Sequence, residues 1–135
     1  MSIIKNNDEA IKYKAHILLV DDGKVNRILG KKILNKLSYQ VSLAEDGLQA
    51  IAQIKNNNTS TFDLILMDLE MPKLGGLQAA TEIREKKLCY APIYALTSHD
   101  SEETRLLCRA AKMNGYIQKP IKIDTIKIVL DKLFS

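Results

Sequence analysis

No apolar run in this chain reaches the roughly 18 residues that a membrane-crossing helix needs, so no membrane insertion is expected. The stretch from Met1 to Lys14 sets Lys5, Asp8, Glu9 and Lys12 among its few apolar residues, which leaves no continuous apolar segment for a signal peptide. Cysteine is scarce: Cys89 and Cys108 are the two, and they make no C-x-x-C pattern. They read as reduced, mostly buried thiols of a cytoplasmic protein. No aromatic-interleaved basic stripe and no DNA-reading module accompanies the formal net charge of +4. Lys31, Lys32, Lys55, Lys73, Lys86, Lys87, Lys127 and Lys132 are scattered at what are expected to be solvent-facing helix positions. Direct nucleic-acid binding is therefore not expected.

What is present suffices for one folded domain. The chain has 135 residues, 46% of them apolar and 27% charged. That composition builds a core, and these 135 residues are expected to form one domain rather than two. The domain is expected over residues 15–135, with 1–14 as an N-terminal tail or linker.

Short apolar runs alternate with amphipathic stretches of about a dozen residues. The runs are Ala15 to Val20, Gln40 to Ala44, Phe62 to Met67, Ala91 to Leu96 and Gly115 to Gln118. Ile17-Leu18-Leu19-Val20 and Leu64-Ile65-Leu66-Met67 are continuous rather than alternating, the mark of strands buried on both faces. Between them Val25, Ile28, Leu29, Ile33 and Leu37 keep helical spacing, as do Leu48, Ile51, Ala52 and Ile54. Leu77, Ala80 and Ile83 come after the third run, and Pro92 restarts the chain as strand. Asp100 with Glu103 predicts a helix start, and Gly115 predicts its closure after Leu106, Leu107, Ala110 and Met113. Ile123, Ile126, Val129, Leu130 and Leu133 predict a last helix. Alternating βα units imply a doubly wound α/β fold: a five-stranded parallel sheet in the order 2-1-3-4-5, covered by five helices.

In such sheets, function collects at the carboxyl ends of the strands. The first expected strand runs into Asp21-Asp22, the third into Asp68, the fourth into Thr97 and the fifth into Lys119-Pro120. Converging carboxylates repel unless a cation neutralises them, and Mg²⁺ suits a small set of carboxylates with waters. A nucleophilic carboxylate, a metal, an ammonium and a hydroxyl around one space are the parts of phosphoryl transfer. Each residue also has a plainer reading. Asp21-Asp22 could cap a helix, Asp68 could open a turn, Thr97 could sit inside a strand, and Lys119 could be a solvated surface residue. Their joint occurrence at four strand ends favours the site.

These residues resemble the receiver domain of two-component response regulators. The likeness runs from about Ala15 to Phe134. It rests on Ile17-Leu18-Leu19-Val20-Asp21-Asp22, on Leu66-Met67-Asp68-Leu69-Glu70-Met71-Pro72 with Gly75-Gly76, on Ala95-Leu96-Thr97, and on Gly115-Tyr116-Ile117-Gln118-Lys119-Pro120. The resemblance implies that Asp68 is the phosphoacceptor. Asp21, Asp22 and the Glu70 main-chain carbonyl would serve Mg²⁺ with it, while Thr97 and Lys119 contact the phosphoryl group. It implies a cis Lys119-Pro120 bond and a switch in which Tyr116 rotates inward as Thr97 moves. The implied donor is a phosphohistidine on a histidine kinase or histidine phosphotransfer protein. The implied output is to a downstream protein through the 100–113 helix, the fifth strand and the last helix. Glu70 and His99, each two residues beyond a site residue, are expected to tune phosphoaspartate hydrolysis by steering or screening water.

The phrase Val20-Asp21-Asp22-Gly23-Lys24-Val25-Asn26-Arg27 resembles receivers of hybrid sensor histidine kinases more than those of DNA-binding regulators, and the chain is expected to be either one piece of a hybrid kinase or a free-standing regulator. Gly23 departs from the polar residue common there and is expected to loosen the start of the first helix. Three rivals fare worse. An aspartyl-phosphate phosphatase would carry a second Asp where Glu70 stands, and its nucleophile would lie on the first strand. A receiver-shaped binding module without phosphorylation would lack one of the site residues. A flavin carrier would need a Ser/Thr-Gly loop after the first strand.

Overall fold

The computed structural model describes residues 12–56 and 62–134. Most of the expected tail, residues 1–11, and residues 57–60 of the expected polar loop lie outside the described residues. The backbone N–H of Lys14 donates to the Ser38 carbonyl, so the chain is already tied to the domain there.

Five strands and five helices alternate: β1 (His16–Val20), α1 (Lys24–Lys36), β2 (Gln40–Ala44), α2 (Gly47–Asn56), β3 (Leu64–Asp68), α3 (Gly76–Glu85), β4 (Ile93–Thr97), α4 (Glu102–Ala110), β5 (Gly115–Gln118) and α5 (Ile123–Phe134). The sheet is parallel throughout, in the order β2-β1-β3-β4-β5. Every residue of β3 is buried, as its unbroken apolar run requires. Alternate residues of the central strands feed two cores. Leu18, Val20, Ile65 and Met67 meet α2 and α3 on one face, with Cys108, Ala111 and Met113 at the end of α4. Ile17, Leu19, Leu64 and Leu66 meet α1 and α5 on the other. Each fully buried Leu or Ile contributes about 1.5–3 kcal/mol, so the central strands are the firmest part of the domain.

Element ends depart from the sequence expectation by small but informative steps. The helix expected from Asp100 starts at Glu102, and its cap is Ser101, whose Oγ accepts the Thr104 N–H at 3.1 Å. Asp100 is drawn away by Arg105, whose Nη2 donates to its carboxylate at 2.7 Å. Gly115 does not close that helix; it opens β5. The closing residue is Lys112, at φ 62, with its N–H on the Arg109 carbonyl and the Met113 N–H on the Cys108 carbonyl. Ser38 and Lys87 end α1 and α3 by the same pair of bonds, at φ 76 and 54.

The apolar spacing in α1 does not describe a single core stripe. Val25, Ile28 and Leu29 are 66%, 45% and 54% exposed, while Gly30 and Leu34 face the sheet. Leu48, Leu106 and Leu107 are likewise exposed. The eight lysines face solvent as expected, although Lys73, Lys86 and Lys87 stand outside the helices. Both cysteines are free thiols, Cys108 buried and Cys89 half-buried.

Candidate functional site

The order reversal at β1 opens a crevice between the loops at the carboxyl ends of β1 and β3. Backbone bonds continue past the strands and fix its walls. The Asp21 N–H donates to Ala44, Leu69 to Leu96, and Lys119 to Thr97 at 2.8 Å. The sheet thus delivers Asp21, Asp68, Thr97 and Lys119 to one end of the domain as rigid extensions of four strands.

Asp68 is fully buried at the end of β3. Its Oδ1 accepts the Glu70 N–H at 3.1 Å and lies 3.2 Å from the Lys119 Nζ. Its Oδ2 is buried with no hydrogen-bond partner. Burial raises the Asp68 pKa above its ordinary value; the Glu70 N–H pulls against this, the Asp21 charge adds to it, and Lys119 opposes it. Burial alone would lower Lys119, but the carboxylates of Asp68, Asp21 and Asp22 carry it above its ordinary value. Lys119 also reaches Asp21 Oδ2 at 3.7 Å, and the Lys119-Pro120 peptide is cis.

Asp21, Asp22 and Asp68 each present a ligand oxygen, all within 4.8 Å of one another. A buried carboxylate oxygen with no partner is expensive, and three hard oxygen donors so placed fit a small divalent cation such as Mg²⁺. Neither acid caps α1: the cap position is Gly23, which makes no side-chain cap bond. Asp21 Oδ1 instead accepts the Gly23 N–H at 2.8 Å, with Asn26 Nδ2 at 3.4 Å. The expected loosening at Gly23 is countered by Arg27, whose Nη1 donates to the Asp21 carbonyl at 2.8 Å. Asn26 and Arg27 stood in the sequence phrase without a role, because contact with a main-chain carbonyl leaves no pattern in residue types.

Thr97 is buried at the end of β4, and its Oγ1 bonds the His99 main chain, accepting the N–H at 3.0 Å and donating to the carbonyl at 3.3 Å. Glu70 and His99 meet at the rim, Oε2 to Nε2 at 3.3 Å, both well exposed. Tyr116 is half-buried on β5 under the Arg105 guanidinium, outside the cleft. A cavity of about 260 Å³ opens beside the acids, lined by Asp21, Asn26, Leu29, Lys119, Pro120 and Ile121 among others.

Fold and cleft define the class: a doubly wound α/β domain with its ionisable groups gathered at the carboxyl ends of a parallel sheet. The chain belongs to the response regulator receiver domain family, which matches residues 17–131. It is 41% identical over 106 residues to the autoinducer 2 sensor kinase/phosphatase LuxQ of Vibrio vulnificus, covering 78% of this chain and 12% of that protein. It is 35% identical over 128 residues to hybrid signal transduction histidine kinase B of Dictyostelium discoideum, covering 86% of this chain and 6% of that protein. The chain therefore spans a small part of the curated relatives it matches. Among solved structures, the receiver domain of sensor histidine kinase PA1611 from Pseudomonas aeruginosa PAO1 superposes with a TM-score of 0.78 at 36% identity, over 89% of this chain and 97% of that one. That structure holds a magnesium ion coordinated in its active site cleft. The chain is a receiver domain of two-component phosphorelay signalling, homologous to the receivers of hybrid histidine kinases. No described helix is long and apolar enough to cross a membrane.

Proposed function

We propose that Asp68 accepts a phosphoryl group from a phosphohistidine donor and that the domain changes its protein contacts in response. The observation that carries this reading is the buried, unpartnered Asp68 Oδ2 beside Lys119 and two further acids. An Asp68 oxygen attacks phosphorus, the P–N bond breaks, and the imidazole leaves with the electron pair and takes a proton from water. No general base is needed, because the attacking carboxylate is already ionised. Asp21, Asp22, Asp68 and the Glu70 main-chain carbonyl would hold Mg²⁺. Bound there, Mg²⁺ supplies charge neutralisation for the phosphoryl oxygens.

The Lys119 ammonium offsets negative charge on the acceptor side and holds one phosphoryl oxygen. Thr97 exchanges its His99 contacts for a second. Its movement opens space for Tyr116, which then rotates inward. Phosphorylation adds close to two negative charges in the cleft, enough to bias such a two-state element. The Glu70–His99 pair stands at the rim, where it steers or screens the hydrolytic water.

The donor is a histidine kinase or histidine phosphotransfer protein, and the output passes through α4, β5 and α5. The domain, residues 15–135, works in the cytoplasm, either within a hybrid sensor histidine kinase or as a free-standing regulator. Intact-mass analysis after incubation with acetyl phosphate and Mg²⁺ tests the central claim. A gain of one phosphoryl mass that requires Mg²⁺ and is absent from Asp68→Asn supports it. No gain in the wild type, with Mg²⁺ binding intact, overturns it.

A further inference from the structure

The loop after β1 carries two of the three cleft acids, yet it lacks the usual devices that fix such a loop to its helix. Its cap residue is Gly23, no side chain caps α1, and no acidic residue stands in the first turn. A side chain at residue 23 would not fit without displacement, because a Cβ there would lie 3.0 Å from Asn26 Nδ2 and 3.3 Å from Asp21 Oδ1. The loop is held from the helix side instead. Arg27 reaches back to the Asp21 carbonyl at 2.8 Å, and its own N–H continues the helix onto the Gly23 carbonyl. Asn26 approaches the Asp21 carboxylate over Gly23. Every polar group of Asp21 is thereby engaged: its N–H by Ala44, its carbonyl by Arg27, Oδ1 by Gly23 and Asn26, and Oδ2 by Lys119.

We infer that Arg27 is a positioning residue for the metal site, fixing the Asp21-Asp22 loop from its half-buried place on α1. The inference rests on the reading of Asp21 and Asp22 as metal ligands. Two effects of Arg27 on a bound cation have opposite signs. As a positive charge near the acids it repels a cation and weakens binding. As a clamp on the loop it holds the carboxylates ready, and groups that orient metal ligands are typically worth 10–100-fold in affinity. The clamp outweighs the repulsion, because the guanidinium is spent on the Asp21 main-chain carbonyl and, among the described residues, forms no ion pair with a cleft carboxylate, which keeps its charge off the ligand oxygens.

The test is Mg²⁺ titration by calorimetry, with amide hydrogen exchange of the Gly23 N–H in parallel. Arg27→Met keeps the aliphatic stem without donor or charge, Arg27→Lys keeps both, and Lys24→Ala removes an exposed charge from the same turn. Arg27→Met is expected to bind Mg²⁺ about ten-fold more weakly and to lose protection at Gly23. Arg27→Lys should recover most of both, and Lys24→Ala should bind as tightly as the wild type or tighter. Binding by Arg27→Met at or above wild-type strength, or unchanged protection at Gly23, overturns the inference. A wild type that binds no Mg²⁺ sinks the metal reading and the inference toward it, whereas Gly23 protection then reports separately whether Arg27 holds the loop.

Discussion

The Arg105 guanidinium lies 5.2 Å from the centroid of the Tyr116 ring. The same guanidinium donates to Asp100 at 2.7 Å, so α4 presents a charged plate that covers the ring from outside. If Tyr116 rotates inward on phosphorylation, this contact must break. Arg105→Ala, on the surface of α4, is therefore expected to favour the inward state and speed phosphorylation by acetyl phosphate about threefold, the order of one exposed cation–π contact. An unchanged rate in a folded variant would show that Tyr116 is not restrained by Arg105.

Asp68 sits where a carboxylate is least welcome. Its pKa is raised by burial, so its contribution to stability is full below the unfolded-state value of 3.8 and is lost as pH rises through the folded value. At neutral pH the ionised group therefore works against folding. Asp68→Asn should raise the melting temperature by roughly 4 °C, as about 1 kcal/mol does in a domain of this size. Lys119 keeps Asp21 as a partner in that variant. Mg²⁺ should raise the melting temperature of the wild type and raise that of the variant far less. Equal melting temperatures without metal would show that the buried charge is already offset.

The fold and the acids were legible because both derive from residue type. The continuous runs Ile17 to Val20 and Leu64 to Met67 match strands covered on both sides, and the acids next in the chain then emerge at the carboxyl edge. Helix ends were not legible. A glycine is the expected closing residue, yet Ser38, Lys87 and Lys112 take the positive-φ positions and none of the glycines does. Backbone strain at those three ends is tolerated because each closing bond pair also positions the next apolar residue, Tyr39, Leu88 and Met113, toward a core. Arg27 and Arg105 escaped for another reason: a main-chain carbonyl and a ring face, the partners that matter here, leave no pattern in residue types.

His16 gives the domain an acid-sensitive point at the opposite end of the sheet. Its Nε2 lies 2.7 Å from Ser42 Oγ, its ring packs on Phe62, and its Nδ1 is buried with no partner. Burial lowers its pKa below 6.5, against the pull of Asp63. The unfolded chain therefore takes up the proton first, so the contribution of His16 is present above pH 6.5 and is lost as pH falls below it. The urea midpoint should fall between pH 7 and pH 5 more steeply in the wild type than in His16→Gln. Parallel slopes would remove His16 from the acid response.

The adjacent glycines 75 and 76 look alike in sequence but answer to different constraints. A Cβ on Gly76 would collide with the Asp68 carbonyl oxygen, a backbone atom fixed by the central strand. On Gly75 the nearest atom would be the Leu69 carbonyl oxygen at 3.2 Å, a separation that a small shift of the loop relieves. Gly76→Ala should therefore lower stability by about 2–3 kcal/mol, and Gly75→Ala by less than about 1 kcal/mol, in urea unfolding. Because the displaced atom belongs to Asp68 itself, Gly76→Ala should also slow phosphorylation under conditions where it remains folded, and Gly75→Ala should not. Equal losses at the two positions would mean that α3 can move off β3 as a unit, and that the close approach of Gly76 to Asp68 does not hold the acceptor in place.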